Sequence, residues 1–163
     1  MEIPILSVTQ IEHKLKRMAY EIWEQNSGEQ EIVMLGIEKG GAVVALNLKR
    51  ILEEISPLKV VFETLDINKK KVYDFAPQLQ SDLKQKTVIV VDDVAMSGKT
   101  LLYAIRPLLD LKPKKIQIAV LVDRKHKNFP VTADIIGYSI ASTIQEHIIV
   151  TCEAEKVTGA FLK

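Results

Sequence analysis

Apolar residues in this chain follow two alternating rhythms: short unbroken runs, and longer stretches where they recur every three or four positions. The unbroken runs suit strands covered on both faces of a parallel sheet. They fall at 31–37, 88–91 and 116–122, with a strand of mixed polarity at 59–65. Helical spacing fills the gaps. Ile11, Leu15, Met18, Ala19, Ile22 and Trp23 make one stripe, opened by a capping box from Thr9 to Glu12 and stopped near Gly28. Val44, Leu48, Ile51, Leu52 and Ile55 make a second, ended by Pro57. Leu101, Leu102, Ile105, Leu108 and Leu109 make a third, which Pro107 is expected to kink or shorten. Residues 67–86 read as a polar connection holding Lys69-Lys70-Lys71 and Pro77. Two more strands are expected at 134–138 and 147–152.

Strands alternating with helices predict an α/β fold: an open, mostly parallel twisted sheet flanked by helices, with right-handed crossovers. After Pro130 the pattern turns strand-rich, which suggests a small carboxyl-terminal hood beside the sheet. No composition break divides the chain, so residues 1–163 read as one domain. The hood is expected from roughly 130–163, joined by amino-terminal residues.

Composition narrows the function classes. With 22 basic and 21 acidic residues the net charge is +1, so no global field advertises nucleic acid or a membrane surface. Any RNA binding needs a local patch; His13, Lys14, Lys16, Arg17 and the Arg124-Lys125-His126-Lys127 cluster could build one. No apolar run approaches the roughly 20 residues of a membrane span. The amino terminus lacks the basic and apolar regions of a signal peptide. Cys152 is the only cysteine, which excludes an internal disulfide and suits a buried thiol in a reducing cytosol. His13 and His147 have no partner pattern. His126 sits between two lysines, which disfavours its protonation and argues against a general-base role.

The densest chemistry lies at 88–100, where an apolar strand ends in Asp92-Asp93 and a Met-Ser-Gly-Lys-Thr loop enters a helix. Open α/β sheets bind ligands at the carboxyl ends of their strands. Backbone N–H groups at a helix amino terminus can hold a phosphate. Two carboxylates beside a phosphate cradle suit a sugar phosphate, the acids taking the diol. A Walker A loop is excluded, because the glycine it needs is replaced by Asp93, and no G-x-G-x-x-G occurs. Gly36-Ile37-Glu38-Lys39-Gly40-Gly41 repeats the strand–loop–helix logic. Its paired glycines allow close backbone approach, and Lys39 brings a charge suited to pyrophosphate. The bland reading of that loop is a tight turn with a solvated lysine.

The 88–100 segment resembles the signature of the type I phosphoribosyltransferases. That resemblance implies that Asp92 and Asp93 contact the ribose hydroxyls of phosphoribosyl pyrophosphate. It assigns Ala95, Met96, Ser97, Gly98, Lys99 and Thr100 to the 5′-phosphate loop, with Thr100 supplying a hydroxyl. It makes Lys39, Gly40 and Gly41 the pyrophosphate loop, a position where the family often carries a cis peptide, and it counts Lys39 with the acidic pair as catalytic. Lys69-Lys70-Lys71 falls where the family has its flexible catalytic loop; its alternative is solvated surface. Magnesium is expected on the substrate's pyrophosphate oxygens, with no protein metal cluster in the sequence.

Arg17 to Asn26, and Leu121 to His126 with Pro130, Ala133-Asp134 and Gly137, are similar to one branch, the bifunctional pyrimidine-operon attenuators and uracil phosphoribosyltransferases. The likeness runs over nearly the whole chain. It implies a flavodoxin-like core, a cytoplasmic homodimer or larger assembly, conversion of uracil to UMP, and in many members RNA binding. Arg124, Ile136 and Gly137 match its base-recognition positions, which act mostly through backbone groups. Met96 stands where 6-oxopurine enzymes place an acid, and a thioether cannot transfer a proton, which disfavours purines. Two features depart from the branch. Lys39-Gly40-Gly41 replaces its usual Thr-Arg-Gly, and the 67–86 connection is shorter by about a dozen residues. Two alternatives therefore stay open: a nucleotide-sensing RNA-binding attenuator with little catalysis, and a purine-type phosphoribosyltransferase.

Overall fold

The computed structural model describes residues 1–143 and 145–163. In chain order the elements are β1 (Ile3–Leu6), α1 (Val8–Gln25), β2 (Glu31–Ile37), α2 (Gly40–Ile55) and β3 (Lys59–Leu65). A short 3-10 turn at Val72–Asp74 precedes β4 (Thr87–Ala95), α3 (Lys99–Leu109), β5 (Lys115–Arg124), β6 (Ile135–Ile140), β7 (Ile148–Glu153) and β8 (Lys156–Leu162).

Five strands form a parallel sheet in the order β3-β2-β4-β5-β6, which puts β4 at its centre. Its unbroken apolar run follows from that position: every residue from Thr87 to Asp92 is buried, and the two faces need side chains equally. Ile89 and Val91 face α1, α2 and the second sheet, whereas Val88 and Val90 face α3. The chain is the mixed α/β, parallel-sheet fold that the spacing of its apolar residues predicts.

The second sheet is antiparallel, in the order β1-β8-β7. Leu6, Ile148, Val157 and Ala160 carry it into the core shared with α1 and α2. It begins later than the pattern change after Pro130 suggests. β6 instead joins the central sheet, pairing Ile135 to Ile140 with Ala119 to Arg124, because β5 offers it an open parallel edge. Ile136 and Gly137 are therefore central-sheet residues rather than hood residues.

Three local expectations shift. The capping box of α1 belongs to Ser7 and Gln10, not to Thr9 and Glu12. The Gln10 amide donates to Ser7 Oγ at 3.3 Å, and the Ser7 amide donates to Gln10 Oε1 at 2.9 Å. β1 delivers Leu6 to the core, so the chain must turn into its helix at the next residue. The third helix continues through Pro107 to Leu109, with Leu101, Ala104 and Leu108 buried; Leu109 is 61% exposed and no core residue. The 67–86 connection is anchored by buried Ile67, Val72 and Leu83, which pack on the α3 face of the sheet. Cys152 lies on β7 and is half-buried rather than buried.

Candidate active site

Where β4 ends, its last residues stop serving the sheet and turn their polar groups on one another. Asp92 is 2% exposed, and its Oδ1 accepts the Asp93 amide at 2.9 Å. Asp93 Oδ1 accepts the Val94 amide at 2.9 Å in the same way. Burial pushes the Asp92 carboxyl well above its ordinary range, and the neighbouring Asp93 charge adds to the effect. Lys69, reaching over from the 67–86 connection, pulls it back. The same Asp93 charge and partial burial also push the Cys152 thiol up, with burial the larger cause.

A cavity of about 170 Å³ opens beside Asp92, lined by Lys69, Val94, Ala95, Met96, Ser97, Gly98, Thr100 and Leu101. Gly98 precedes α3 in the left-handed conformation, φ 81°, which a side chain would strain. A Cβ there would also lie 2.5 Å from Val131 Cγ1. The loop is tied down from outside, since the Asn128 and Phe129 amides both donate to the Ser97 carbonyl, at 3.1 and 3.0 Å. Lys99 behaves differently from its neighbours. Its ammonium turns away from the cavity and donates to Tyr73 Oη at 2.9 Å.

The glycine loop after β2 meets the acidic pair directly. A Cβ on Gly40 would lie 2.5 Å from Asp93 Cγ, and one on Gly41 would lie 2.6 Å from the Val91 carbonyl oxygen and 2.9 Å from Asp92 Cα. Paired glycines at this point let the two strand–helix loops touch. The Glu38–Lys39 peptide is cis, and the exposed Lys39 stands at the head of α2.

The structure thus brings Asp92, Ala95, Met96, Ser97, Gly98 and Thr100 to one cavity and sets Gly40 against Asp93 and Gly41 against the Val91–Asp92 backbone. It does not bring the base-recognition positions there. Arg124 ends β5, and the carbonyls of Ile136 and Gly137 accept from the Arg17 guanidinium, at 2.9 and 2.6 Å. Ile136 pairs with Val120, two strands away from β4, so its backbone is committed to the sheet and to α1. Two cations of the possible RNA patch are also engaged internally. Arg17 makes those carbonyl bonds and an ion pair with Glu21, and Lys127 pairs with buried Asp123 at 2.6 Å. Lys69 is the cavity's cation, and the sequence signal for it was a three-lysine run that did not distinguish its members. Tyr73 carried no sequence signal.

A larger apolar cleft of about 360 Å³ runs outside α3, between Leu102, Ile105, Leu109 and Phe129. It contains no acid, whereas the smaller cavity holds Asp92 and the loop residues Ala95 to Gly98. Among the described residues no three His, Cys, Asp or Glu side chains gather as a metal site. No helix among the described residues is long and apolar enough to cross a membrane.

Comparison with known proteins gives the family. The phosphoribosyl transferase domain matches residues 5–156. Bifunctional protein pyrR of Enterococcus faecalis is 37% identical, over 96% of this chain and 92% of that protein. Bifunctional protein PyrR of Macrococcus caseolyticus is 32% identical, over 98% and 97%. In fold, the chain is similar to a hypoxanthine-guanine phosphoribosyltransferase of Bacillus anthracis, with a TM-score of 0.76 at 24% identity over 96% of both chains. A hypoxanthine phosphoribosyltransferase of Trypanosoma cruzi gives 0.78 at 17% identity, over 96% of this chain and 94% of that one. The acid pair, the loop that follows it and a match over almost the whole length make this chain a member of the phosphoribosyltransferase family, similar throughout to the bifunctional PyrR proteins.

Proposed function

We propose that this phosphoribosyltransferase moves the 5-phosphoribosyl group from phosphoribosyl pyrophosphate to uracil, giving UMP and pyrophosphate. The observation that carries the reading is the contact between two loops. The acidic pair at the end of β4 and the glycine pair at the start of α2 meet, and Asp92 and the phosphate loop line the cavity.

In this reading Asp92 and Asp93 hold the ribose 2′- and 3′-hydroxyls, and residues 95–100 hold the 5′-phosphate through backbone N–H groups and the Thr100 hydroxyl. Lys39, Gly40 and Gly41 receive the pyrophosphate. The C1′–O bond to pyrophosphate breaks, the base nitrogen forms the new C1′–N bond, and the proton of the base leaves to solvent. Positive charge grows on the ribose as pyrophosphate departs, so the nearby carboxylates stabilise the ribose while the lysines stabilise the leaving group. Holding both reactants in line supplies most of the remainder. A magnesium ion carried on the pyrophosphate oxygens would supply charge neutralisation for the leaving group.

Uracil is favoured over purines by Met96. It lines the cavity where a purine enzyme would need a proton partner, and its thioether cannot serve as one. The nearest test is pyrophosphate release with magnesium across uracil, hypoxanthine, guanine, adenine, xanthine and orotate. Release with uracil alone is expected; release with hypoxanthine or guanine instead would replace uracil by a purine.

A second reading rests on the relatives named as bifunctional proteins. In it the chain binds RNA as well, using Lys14, Lys16, Lys125 and His126, since Arg17 and Lys127 are engaged elsewhere. Such binding must weaken steeply with salt. We further propose a single phosphoribosyltransferase domain spanning 1–163, assembling as a homodimer or larger homo-oligomer in the cytoplasm.

A further inference from the structure

Tyr73 sits on the short turn at Val72–Asp74 and is 57% exposed, yet it is tied to α3 by several directional contacts. Its hydroxyl accepts the Lys99 ammonium at 2.9 Å, and its carbonyl accepts the Arg106 guanidinium at 2.9 Å. Its ring meets the Tyr103 ring edge-on at 5.1 Å, and Tyr103 meets Phe129 at 6.5 Å. The Lys99 Nζ is 4.9 Å from the Tyr73 ring centroid. An ammonium that close to the oxygen and that far from the centroid lies beyond the phenol edge, so the contact is a hydrogen bond rather than a cation over a ring face.

These contacts join three segments. Lys99 and Arg106 belong to α3, and Lys99 is also part of the phosphate loop. Phe129 belongs to the segment whose amides hold the Ser97 carbonyl. Tyr73 belongs to the 67–86 connection, four residues after Lys69, the cation that lines the cavity beside Asp92. Buried Val72, adjacent in sequence, fixes the backbone beneath it. Buried Ile67 and Val72 bracket the exposed Lys69, and Tyr73 adds the polar ties from this turn to the phosphate loop and α3.

We propose that Tyr73 is a positioning residue for phosphoribosyl transfer: it clasps the 67–86 connection to the phosphate loop through Lys99 and α3, and so holds Lys69 at the cavity. The inference rests on the phosphoribosyl pyrophosphate reading of the site. It also gives Lys99 a role distinct from direct phosphate binding, since its side chain reaches the clasp while its backbone stays in the loop.

The test is a double-mutant cycle on the full chain, read both by calorimetric binding of phosphoribosyl pyrophosphate with magnesium and by steady-state kinetics. Tyr73→Ala is expected to lower affinity and kcat/KM for phosphoribosyl pyrophosphate about tenfold, and Tyr73→Phe about threefold because only the Lys99 bond is lost. Thermal midpoints should stay near that of the parent protein, as befits an exposed side chain. In a Lys69→Met background, Tyr73→Ala should have little further effect, because the residue acts through Lys69. Additive losses in the double variant, or a Tyr73→Phe protein equal to the parent, would overturn the clasp. If the parent protein itself neither binds phosphoribosyl pyrophosphate nor releases pyrophosphate, the reading of the site fails. If the parent binds and Tyr73→Ala binds equally well, only the clasp fails.

Discussion

Asp92 is an acid in a place that resists charge: it is almost wholly buried, and the next residue is another acid. Its folded-state pKa is raised, so between the unfolded value of about 3.9 and that raised value the folded protein keeps a proton that the unfolded chain releases. Stability from this group is therefore fully present at low pH and is lost as pH rises through the folded pKa. Asp92→Asn, which keeps the shape and removes the charge, should melt above the parent protein at pH 8. That advantage should shrink towards pH 4, and a thermal-melt series across this range measures it. Each kcal/mol recovered corresponds to about 2–4 °C in a chain of this size. The same substitution should cost phosphoribosyl pyrophosphate binding, which separates the ligand's need for the acid from the fold's.

Gly40 is the second residue whose identity the geometry dictates. A methyl group there would overlap the Asp93 carboxylate, whose Cγ lies 2.5 Å from the Cβ position. Either the acid or the head of α2 must shift. Gly40→Ala is expected to cost about 1–3 kcal/mol of stability, as overpacking usually does. It should also weaken phosphoribosyl pyrophosphate binding more than it lowers the thermal midpoint, because the displaced group is part of the site. Calorimetry beside a melt reads both quantities on one sample.

At the scale of elements, helix starts decide where functional groups stand. α1 opens on a reciprocal Ser7–Gln10 box that satisfies two amides at once. Ser7→Ala should cost about 0.5–2 kcal/mol in denaturant melts, while Thr9→Ala should fall within about 0.5 kcal/mol of the parent. The reverse order would return the cap to Thr9. α2 and α3 instead open without a side-chain cap, on Lys39 and Gly98. Uncapped amides near the mouth of the site are the natural consequence, since a phosphate can take the place a capping side chain would fill. Ser97 Oγ accepts the Lys99 amide at 3.2 Å, and under the proposed function the other amides at these two starts take a phosphate.

Across the whole molecule, the central sheet separates two apolar layers. Ile89 lies in the layer that joins α1, α2 and the small antiparallel sheet, and it is fully buried. Ile89→Ala is expected to cost about 2–5 kcal/mol, a large share of the usual 5–15 kcal/mol of a domain. Leu109→Ala, by contrast, should change stability by no more than about 0.5 kcal/mol because that side chain is exposed. Equilibrium unfolding of the two variants side by side checks the layer assignment, and a costly Leu109→Ala would mean that the α3 face is covered in solution.

Local rules made much of this protein legible from its residues alone. An unbroken Val/Ile run can only be comfortable between two layers, which located β4 and made the sheet parallel. Adjacent acids at its end, followed by small residues and a helix, marked the candidate site, because backbone geometry at a strand–helix junction depends on only a few neighbouring positions. Matters of long-range pairing were decided in three dimensions. Whether residues 135–140 extend the central sheet or join the small one depends on the free edge of β5. Which of two overlapping S/T-x-x-E/Q patterns caps α1 depends on where β1 must deliver Leu6. Arg17 takes the Ile136 and Gly137 carbonyls, and Tyr73 takes Lys99, across separations of 119, 120 and 26 residues. The sequence alone determined the layers and the chemistry at the end of β4. Tertiary structure alone decided which distant side chains meet around that chemistry, because contact between remote segments is a property of packing and leaves no local pattern to read.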